Sequence, residues 1–150
     1  MIFSQTVEYA LRSVVWLASH SDSPQTVQQI AEATQVPSNY LAKVMNSLRR
    51  TGLVESRRGL GGGYILARAG ELTVLDVVNT VDPIERIIRC PLGLKSHGLN
   101  LCPLHKRLDE AMGLIEKSFV QTKIIDLVVQ NDGAGSICGD APCAGPGGKS

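Results

Sequence analysis

Residues 38–67 read SNYLAKVMNSLRRTGLVESRRGLGGGYILA, and this stretch decides the fold. Its beginning predicts an amphipathic helix that starts at Pro37-Ser38 and ends at Gly52, because four apolar residues follow helical spacing: Leu41, Val44, Met45 and Leu48. Two β-type runs follow, at residues 53–57 and 64–67, and the RGLGGG segment between them has the length of a hairpin loop. The stretch therefore predicts a helix followed by a two-stranded hairpin.

Two further helices are predicted before this stretch. Wide apolar coverage of one face indicates a first helix over residues 6–20, and Thr26 followed by Gln29 fits a capping box at the head of a short second helix. Helix, helix, tight turn, helix and hairpin, in this order, predict a mostly α-helical chain with a winged helix-turn-helix. In such a fold the third helix enters the major groove of DNA, and the hairpin, or wing, contacts the backbone or the minor groove.

The composition is that of a globular chain of 150 residues, 43% hydrophobic and 19% charged, which excludes a disordered protein. No run approaches the roughly 18–20 apolar residues of a membrane-spanning helix. Residues 1–11, which include Gln5 and Glu8, do not resemble a signal peptide. We therefore expect a cytoplasmic protein without membrane association. The sequence has no spacing typical of a nucleophile elbow or a zinc hydrolase, so we do not expect an enzyme.

Positive charge is concentrated in one region of the chain. Residues 43–68 hold six cations against one anion, Glu55, although the whole chain has a net charge of only +1. Cations clustered on the third helix and the wing predict contacts with DNA phosphates. The residues that we predict to bind DNA are Ser38, Asn39, Tyr40, Lys43, Arg49, Arg57, Arg58, Gly61 and Gly62. Taken singly, these residues are equally compatible with the solvated face of a helix and an ordinary glycine-rich turn.

The C-terminal half has more apolar surface than one chain can cover. Thr73 is predicted to cap a fourth helix that ends at Asp82-Pro83, and residues 84–101 lack clear periodicity. Helical spacing then continues over many turns, which favours pairing with a second subunit. The predicted organisation is a winged helix-turn-helix domain over 1–82, a sensor loop over 83–102, a dimerisation helix over 103–131 and a flexible, cysteine-containing tail over 132–150.

Several strings in this sequence resemble the signature of the Rrf2 family of bacterial transcription regulators. They are Asn39 to Val54, the wing from Arg58 to Leu66, Tyr9-Ala10-Leu11-Arg12 and the segment Val77 to Asp82. The resemblance covers about residues 1–130. It implies a homodimer that binds a near-palindromic operator in double-stranded DNA. It also implies a family in which some members carry an iron–sulfur cluster and others do not.

The resemblance further implies metal ligands near the start of the long helix. Cluster-binding members resemble the pattern Cys-x5-Cys-x5-Cys-x2-His, and this chain matches three of its positions with Cys90, Cys102 and His105. Ser96 stands at the middle cysteine, and serine is a poor substitute for a soft thiolate ligand. The implied [2Fe–2S] cluster would be held by Cys90, Cys102, His105 or the adjacent His97, and Glu8, the last from the partner subunit as in some family members.

Three interpretations of these cysteines remain open. Besides ligating a cluster, Cys90 and Cys102 could form a thiol switch that closes on oxidation, or they could be small apolar residues in a loop without a cofactor. In the tail, Cys138 and Cys143 have a spacing compatible with zinc if a histidine joins them.

The predicted function is a transcription regulator that responds to redox, nitric oxide or iron–sulfur status. The alternatives are a cofactor-free or thiol-switch repressor, and a metal-binding or protein-interaction module that kept the winged fold. The wing carries two arginines, Arg57 and Arg58, which a metal-binding or protein-interaction module usually loses. They therefore favour the DNA-binding interpretation.

Overall fold

Helices dominate the structure, and one short hairpin completes it. The computed structural model describes residues 2–97 and 100–129. Its elements are α1 (Gln5–Ser19), α2 (Val27–Thr34), α3 (Ser38–Arg50), β1 (Val54–Arg57), β2 (Gly63–Leu66), α4 (Val74–Val81), a 3₁₀ turn (Lys95–His97), α5 (Pro103–Gln121) and α6 (Ile124–Val129). Among these helices, none combines the length and apolar character needed to cross a membrane. The predicted tail over 132–150, with Cys138 and Cys143, lies outside the described residues.

Side-chain caps begin three of the helices. The Ser4 hydroxyl accepts a backbone N–H of the first turn of α1, while Thr26 and Thr73 form capping boxes with Gln29 and Asp76, respectively. Each cap satisfies backbone N–H groups that the first turn of a helix leaves without a partner. The capping box predicted at Thr26 and the cap predicted at Thr73 are both confirmed.

A tight turn joins α2 to α3. Gln35 adopts a φ of 57°, in the left-handed region, and Arg12 of α1 donates from Nη1 to the Thr34 carbonyl at 3.1 Å. Val36 is buried beneath the turn, and Pro37 precedes the first residue of α3. Helices α2 and α3, followed by the β1–β2 wing, confirm the predicted mostly helical fold with a winged helix-turn-helix.

Gly52 ends α3 and directs the chain into the wing. Its φ of 77° lies in the left-handed region, and its N–H donates to the Arg49 carbonyl at 3.1 Å. The Leu53 N–H donates to the Leu48 carbonyl at 3.0 Å, which completes a Schellman motif. β1 and β2 then pair as an antiparallel hairpin. The wing is therefore fixed relative to α3 by local hydrogen bonds.

A second contact fixes the wing close to its loop. Tyr64 exchanges two backbone hydrogen bonds with Gln25, at 2.7 and 2.8 Å. This close approach leaves no room for a side chain at Gly63, where a Cβ would lie 2.5 Å from the Gln25 carbonyl. The loop before α2 thus acts as a partner for the end of the hairpin.

The hydrophobic core lies around α1, which packs against α2, α3, α4, α6 and β2. Burial of each large aliphatic side chain contributes about 1.5–3 kcal/mol. The apolar side chains with essentially no exposed area are Val7, Ala10, Val14, Leu17, Ile30, Leu41, Val44, Met45, Leu48, Val54, Val77, Val78 and Ile124. A single chain therefore supplies the core that positions α3 and the wing.

The long C-terminal helix is shorter than predicted, because α5 ends at Gln121 and not at residue 131. Thr122 is extended, and its carbonyl accepts the Val74 N–H at 2.9 Å. The chain then turns back as α6 and buries Ile124 in the core beside α1. Apolar residues keep helical spacing across this break, so the periodicity of the sequence does not reveal it.

Candidate functional site

Helix α3 exposes one polar face. Asn39, Lys43 and Asn46 lie on it at helical spacing, and Arg49 and Arg50 are exposed at its C-terminal end. Arg49 donates from Nη2 to Oδ1 of Asn46 at 3.1 Å. Asparagine amides hydrogen-bond base edges, whereas cations neutralise phosphates. The face therefore carries both kinds of group that a recognition helix uses in the major groove.

Tyr40 does not belong to this face in the single chain, and its predicted hydrogen bond in the groove stays a prediction. Its hydroxyl hydrogen-bonds with that of Thr6, and its ring packs edge-to-face on Tyr9 with 5.3 Å between the centroids. The side chain is half-buried against α1. An aromatic ring at this position gains more from packing on α1 than it would from exposure to solvent.

Asn46 is a candidate residue that the sequence analysis missed. It is exposed one turn after Lys43, while Ser38 and Asn39 occupy the first turn of α3. The spacing of the sequence could have identified it, because positions 39, 43 and 46 are four and three residues apart and therefore share one side of a helix.

The wing presents two exposed arginines beside a constrained loop. Arg57 ends β1 and Arg58 follows it, and both side chains are exposed. Gly61 has a φ of 73°, and a Cβ on Gly62 would lie 2.4 Å from the Arg57 carbonyl. Both predicted glycines are therefore required by the loop itself. The loop also places Leu60, which the sequence analysis missed, fully exposed at its tip.

Cys90, Cys102 and His105 come together at the N-terminal end of α5, where their donor atoms all lie within 4.8 Å of one another. Nδ1 of His105 is 3.0 Å from Sγ of Cys102 and 3.6 Å from Sγ of Cys90. Nδ1 of His97 lies 3.3 Å from Sγ of Cys90. Both thiols are free and half-buried. These four residues, here called the sensor cluster, are among the metal ligands proposed from the sequence.

Glu8, the other proposed ligand, is engaged within its own helix. Its Oε1 accepts from Nε of Arg12 at 2.8 Å, as an ion pair spaced four residues apart on α1. Both side chains line a cavity of about 420 Å³ between α1, the end of α5 and α6. Within one chain Glu8 does not join the sensor cluster, and the contribution expected from Glu8 of the partner subunit stays a prediction.

The chemistry of the donor set suits a thiophilic metal. Thiolate sulfur favours zinc and iron–sulfur centres over hard cations. Two cysteines with two histidines form structural zinc sites, and the same combination ligates Rieske-type [2Fe–2S] centres. His97 lies directly after Ser96, the residue that departs from the family pattern. The side chains present therefore fit the group that the resemblance implies.

A bidentate ion pair ties the sensor loop to α5. Arg86 donates from Nε and Nη2 to the two carboxylate oxygens of Asp109, both at 2.7 Å, and from Nη1 to Glu116 at 3.0 Å. Hydrogen bonds from Arg86 hold the pKa of Asp109 below its usual range, and the two carboxylates raise the pKa of Arg86. The sequence analysis missed this contact, because no local pattern links residues that are 23 positions apart.

Comparison with known proteins identifies the family. The model of the Rrf2 family, described as an iron-dependent transcriptional regulator, matches residues 3–130. A protein of Aquifex aeolicus (strain VF5), named as an HTH-type transcriptional regulator, is 33% identical over 132 residues, which cover 85% of this chain and 92% of the relative.

Two solved structures share the fold. CymR (YrzC), the global cysteine regulator of B. subtilis, has a TM-score of 0.73 at 22% identity and covers 88% of this chain and 99% of its own. IscR of T. potens has a TM-score of 0.74 at 23% identity, with coverages of 91% and 94%. These identities establish a common fold. The family match over residues 3–130 and the 33% identical relative show a transcriptional regulator and not an enzyme, and the chain belongs to the Rrf2 family.

Proposed function

We propose that this chain is a homodimeric, sequence-specific DNA-binding regulator whose sensor cluster controls its affinity for DNA. The observation that carries the proposal is the gathering of two free thiols and two imidazoles at one end of α5. The same chain presents cations on α3 and on the wing. A change at the sensor cluster would reposition α5, and with it the two DNA-reading domains of a dimer.

The exposed face of α3 and the wing support the DNA-binding part. In this proposal Asn39 and Asn46 contact base edges, while Lys43 and Arg49 neutralise phosphates. Arg58 at the wing reaches the backbone or the minor groove, where narrow A·T-rich segments attract arginine. Contacts of this kind release counterions, so the affinity would fall steeply as salt rises.

The apolar stripe of α5 supports the homodimer. Leu104, Leu108 and Leu114 are 63%, 45% and 69% exposed, on a helix that has no buried residue in the single chain. Such a stripe is buried when it pairs with the same stripe of a second copy. A two-fold dimer would match a near-palindromic operator, whose half-sites repeat about 34–36 Å apart.

For the sensor cluster we propose a [2Fe–2S] centre held by Cys90, Cys102, His105 and either His97 or Glu8 of the partner subunit. When bound, such a group supplies a redox-active centre that oxidants and nitric oxide can attack. The contribution of the protein is geometric. Cys90 comes from the loop, whereas Cys102 and His105 come from the start of α5, so shared ligation holds the loop against the helix.

A thiol switch is the second candidate, and the free state of both sulfurs within 4.8 Å favours it. An oxidant that accepts two electrons and two protons would join Cys90 to Cys102 as a disulfide. CymR, one of the solved structures with this fold, is named as the global cysteine regulator. In both candidates the same loop is fastened to the same helix.

The choice between them is tested by purification without oxygen, followed by a visible spectrum and iron and sulfide assays. A [2Fe–2S] protein is coloured and loses colour, iron and sulfide in Cys90→Ala and Cys102→Ala. The double variant Cys138→Ala/Cys143→Ala is the matched control and keeps all three. A colourless, iron-free wild-type protein would overturn the iron–sulfur proposal and favour the thiol switch.

The DNA-binding part is tested separately, with a duplex selected from a random pool by the wild-type protein. Arg58→Ala is expected to weaken binding to all sequences and to reduce the slope of log affinity against log salt by about 1. Arg107→Ala is the control, since Arg107 is an exposed arginine of α5 paired with Glu110. A salt-independent wild-type affinity would contradict the proposal.

A further inference from the structure

The segment 84–90 follows α5 in the antiparallel direction, and we call it the strap. Three contacts occur in order along the helix: Ile84 borders the same cavity as Met112 and Ile115, the Ile87 N–H donates to Asp109 at 2.9 Å, and Sγ of Cys90 lies 3.6 Å from Nδ1 of His105. Each step of three residues along the strap thus meets α5 nearer to its N-terminus. The strap ends at the sensor cluster.

Burial along the strap repeats every three residues. Ile84, Ile87 and Cys90 are half-buried, and the four residues between them are exposed. A repeat of three is typical of the polyproline II conformation, which makes no internal hydrogen bonds of its own. The strap belongs to neither a helix nor a strand. Its position along α5 therefore depends on the contacts that its side chains and backbone make with the helix.

Arg86 supplies the strongest of these contacts. Its guanidinium forms a bidentate pair of hydrogen bonds with Asp109 and a further hydrogen bond with Glu116. Lysine cannot reproduce this geometry. The group also lies against Gly113, where a Cβ would be 3.0 Å from Nη1. Gly113 thus provides the space in which the guanidinium is seated between the two carboxylates.

We propose that Arg86 is a positioning residue for the sensor cluster, because it sets the register of the strap and so places Cys90 beside His105. This inference rests on the proposed function, in which that cluster is the sensor. Asp109 lies one helical turn after His105, and Arg86 lies four residues before Cys90. With so few residues between the tie and the thiol, slippage at Arg86 moves Cys90 away from the other donors.

The first test is a titration of the metal-free protein with Co²⁺, whose thiolate complexes absorb visible light. Arg86→Gln and Asp109→Asn are expected to weaken Co²⁺ binding about 10–100-fold, the usual cost of losing a supporting residue around metal ligands. Arg107→Gln, which removes another charge-paired arginine from the same region, is the matched control and keeps the wild-type affinity.

A second measurement needs no metal. Diamide oxidises two neighbouring thiols to a disulfide and is itself reduced to the hydrazine, and peptide mapping reports how fast Cys90 becomes joined to Cys102. Arg86→Gln is expected to slow this step about tenfold, because the two sulfurs are no longer held together. If wild-type protein binds no Co²⁺, the disulfide rate alone decides the role of Arg86.

Gly113→Ala separates positioning from simple stabilisation. Alanine favours a helix interior over glycine, so the unfolding temperature should rise. The added Cβ presses on the guanidinium, so Co²⁺ affinity and the disulfide rate should fall, although less than in Arg86→Gln. Wild-type Co²⁺ affinity and a wild-type disulfide rate in folded Arg86→Gln would overturn the proposal.

Discussion

The DNA-binding domain and helix α5 are held in place by different kinds of contact. Helices α1 to α4 bury apolar side chains in a common core, whereas none of the 19 residues of α5 is buried in the single chain. Phe119 near the end of α5 packs on Phe3. Towards its N-terminus, α5 is tied by the Arg86–Asp109–Glu116 hydrogen bonds and by the contact of Cys90 with His105.

The two regions therefore depend on different chemistry, apolar burial in one and polar and thiol contacts in the other. Apolar burial depends little on oxidants, metal or moderate changes of pH. Thiols, imidazoles and carboxylates change their charge or bonding under such conditions. Under the proposed function, a stable core presents α3 and the wing, while α5 and its loop would react to the signal.

The helix caps show the same contrast. Helices α1, α2 and α4 begin with a hydroxyl that accepts a backbone N–H. Helix α5 begins after Cys102, which makes no such hydrogen bond. Cysteine is not among the favoured capping residues, so α5 begins without the side-chain cap that these three helices have.

The largest expected effect comes from the core. Leu48→Ala should lower the free energy of unfolding by about 2–5 kcal/mol, because it leaves a cavity beneath α3 where the side chain is fully buried. Leu114→Ala on α5, measured on the monomer, should change it by less than about 0.5 kcal/mol. Urea denaturation measures the free energy of unfolding of both variants. Equal decreases would mean that the core and α5 do not differ in this respect.

A charged residue introduced into the apolar stripe of α5 should weaken the proposed dimer without destabilising the hydrophobic core. Leu108→Glu is expected to weaken the dimer at least tenfold, or about 1.4 kcal/mol, with unchanged helical circular dichroism. Lys117→Glu changes an exposed residue of the same helix and should leave the dimer intact. Sedimentation velocity over a range of concentrations distinguishes these outcomes, and a dimer that tolerates Leu108→Glu would place the interface elsewhere.

Replacing the thiol at the start of α5 should improve the helix while it removes the ligand. In metal-free protein we expect Cys102→Ser to be more stable than Cys102→Ala by about 0.5–2 kcal/mol, because serine caps the helix. Urea denaturation of the two variants gives this difference. Equal stabilities would mean that the first turn of α5 does not need a cap.

The smallest expected effect concerns pH. Arg86 lowers the pKa of Asp109, so this carboxylate stabilises the folded chain above the unfolded pKa of about 3.9, and the stabilisation is lost as pH falls through the lower folded value. The stability difference between wild type and Asp109→Asn should therefore be constant from pH 7 to about 5 and vanish in stronger acid. Denaturation at each pH measures it, and a difference that persists at low pH would contradict the ion pair.

Local features of the fold were predictable from the sequence. The Thr26 capping box, the turn at Gly52 and the wing depend on neighbouring residues, and the structure confirms them. The spacing of Asn39, Lys43 and Asn46 follows from helical geometry in the same way. Cys90, Cys102 and His105 were proposed as a group through a family resemblance, since no local rule connects a loop residue to the start of a later helix.

The amino-acid sequence by itself determined the order of helices, their caps, the wing and the cluster of cations, because these follow from residue spacing within a few turns. Only the tertiary structure decided three other features: the end of α5 at Gln121, the packing of Tyr40 on Tyr9, and the seat of Arg86 between Asp109 and Glu116. Each of these depends on which distant surface lies opposite a residue. Helical periodicity and side-chain type do not predict which distant surface that will be, because the free energy of packing is gained only when the two surfaces are in contact.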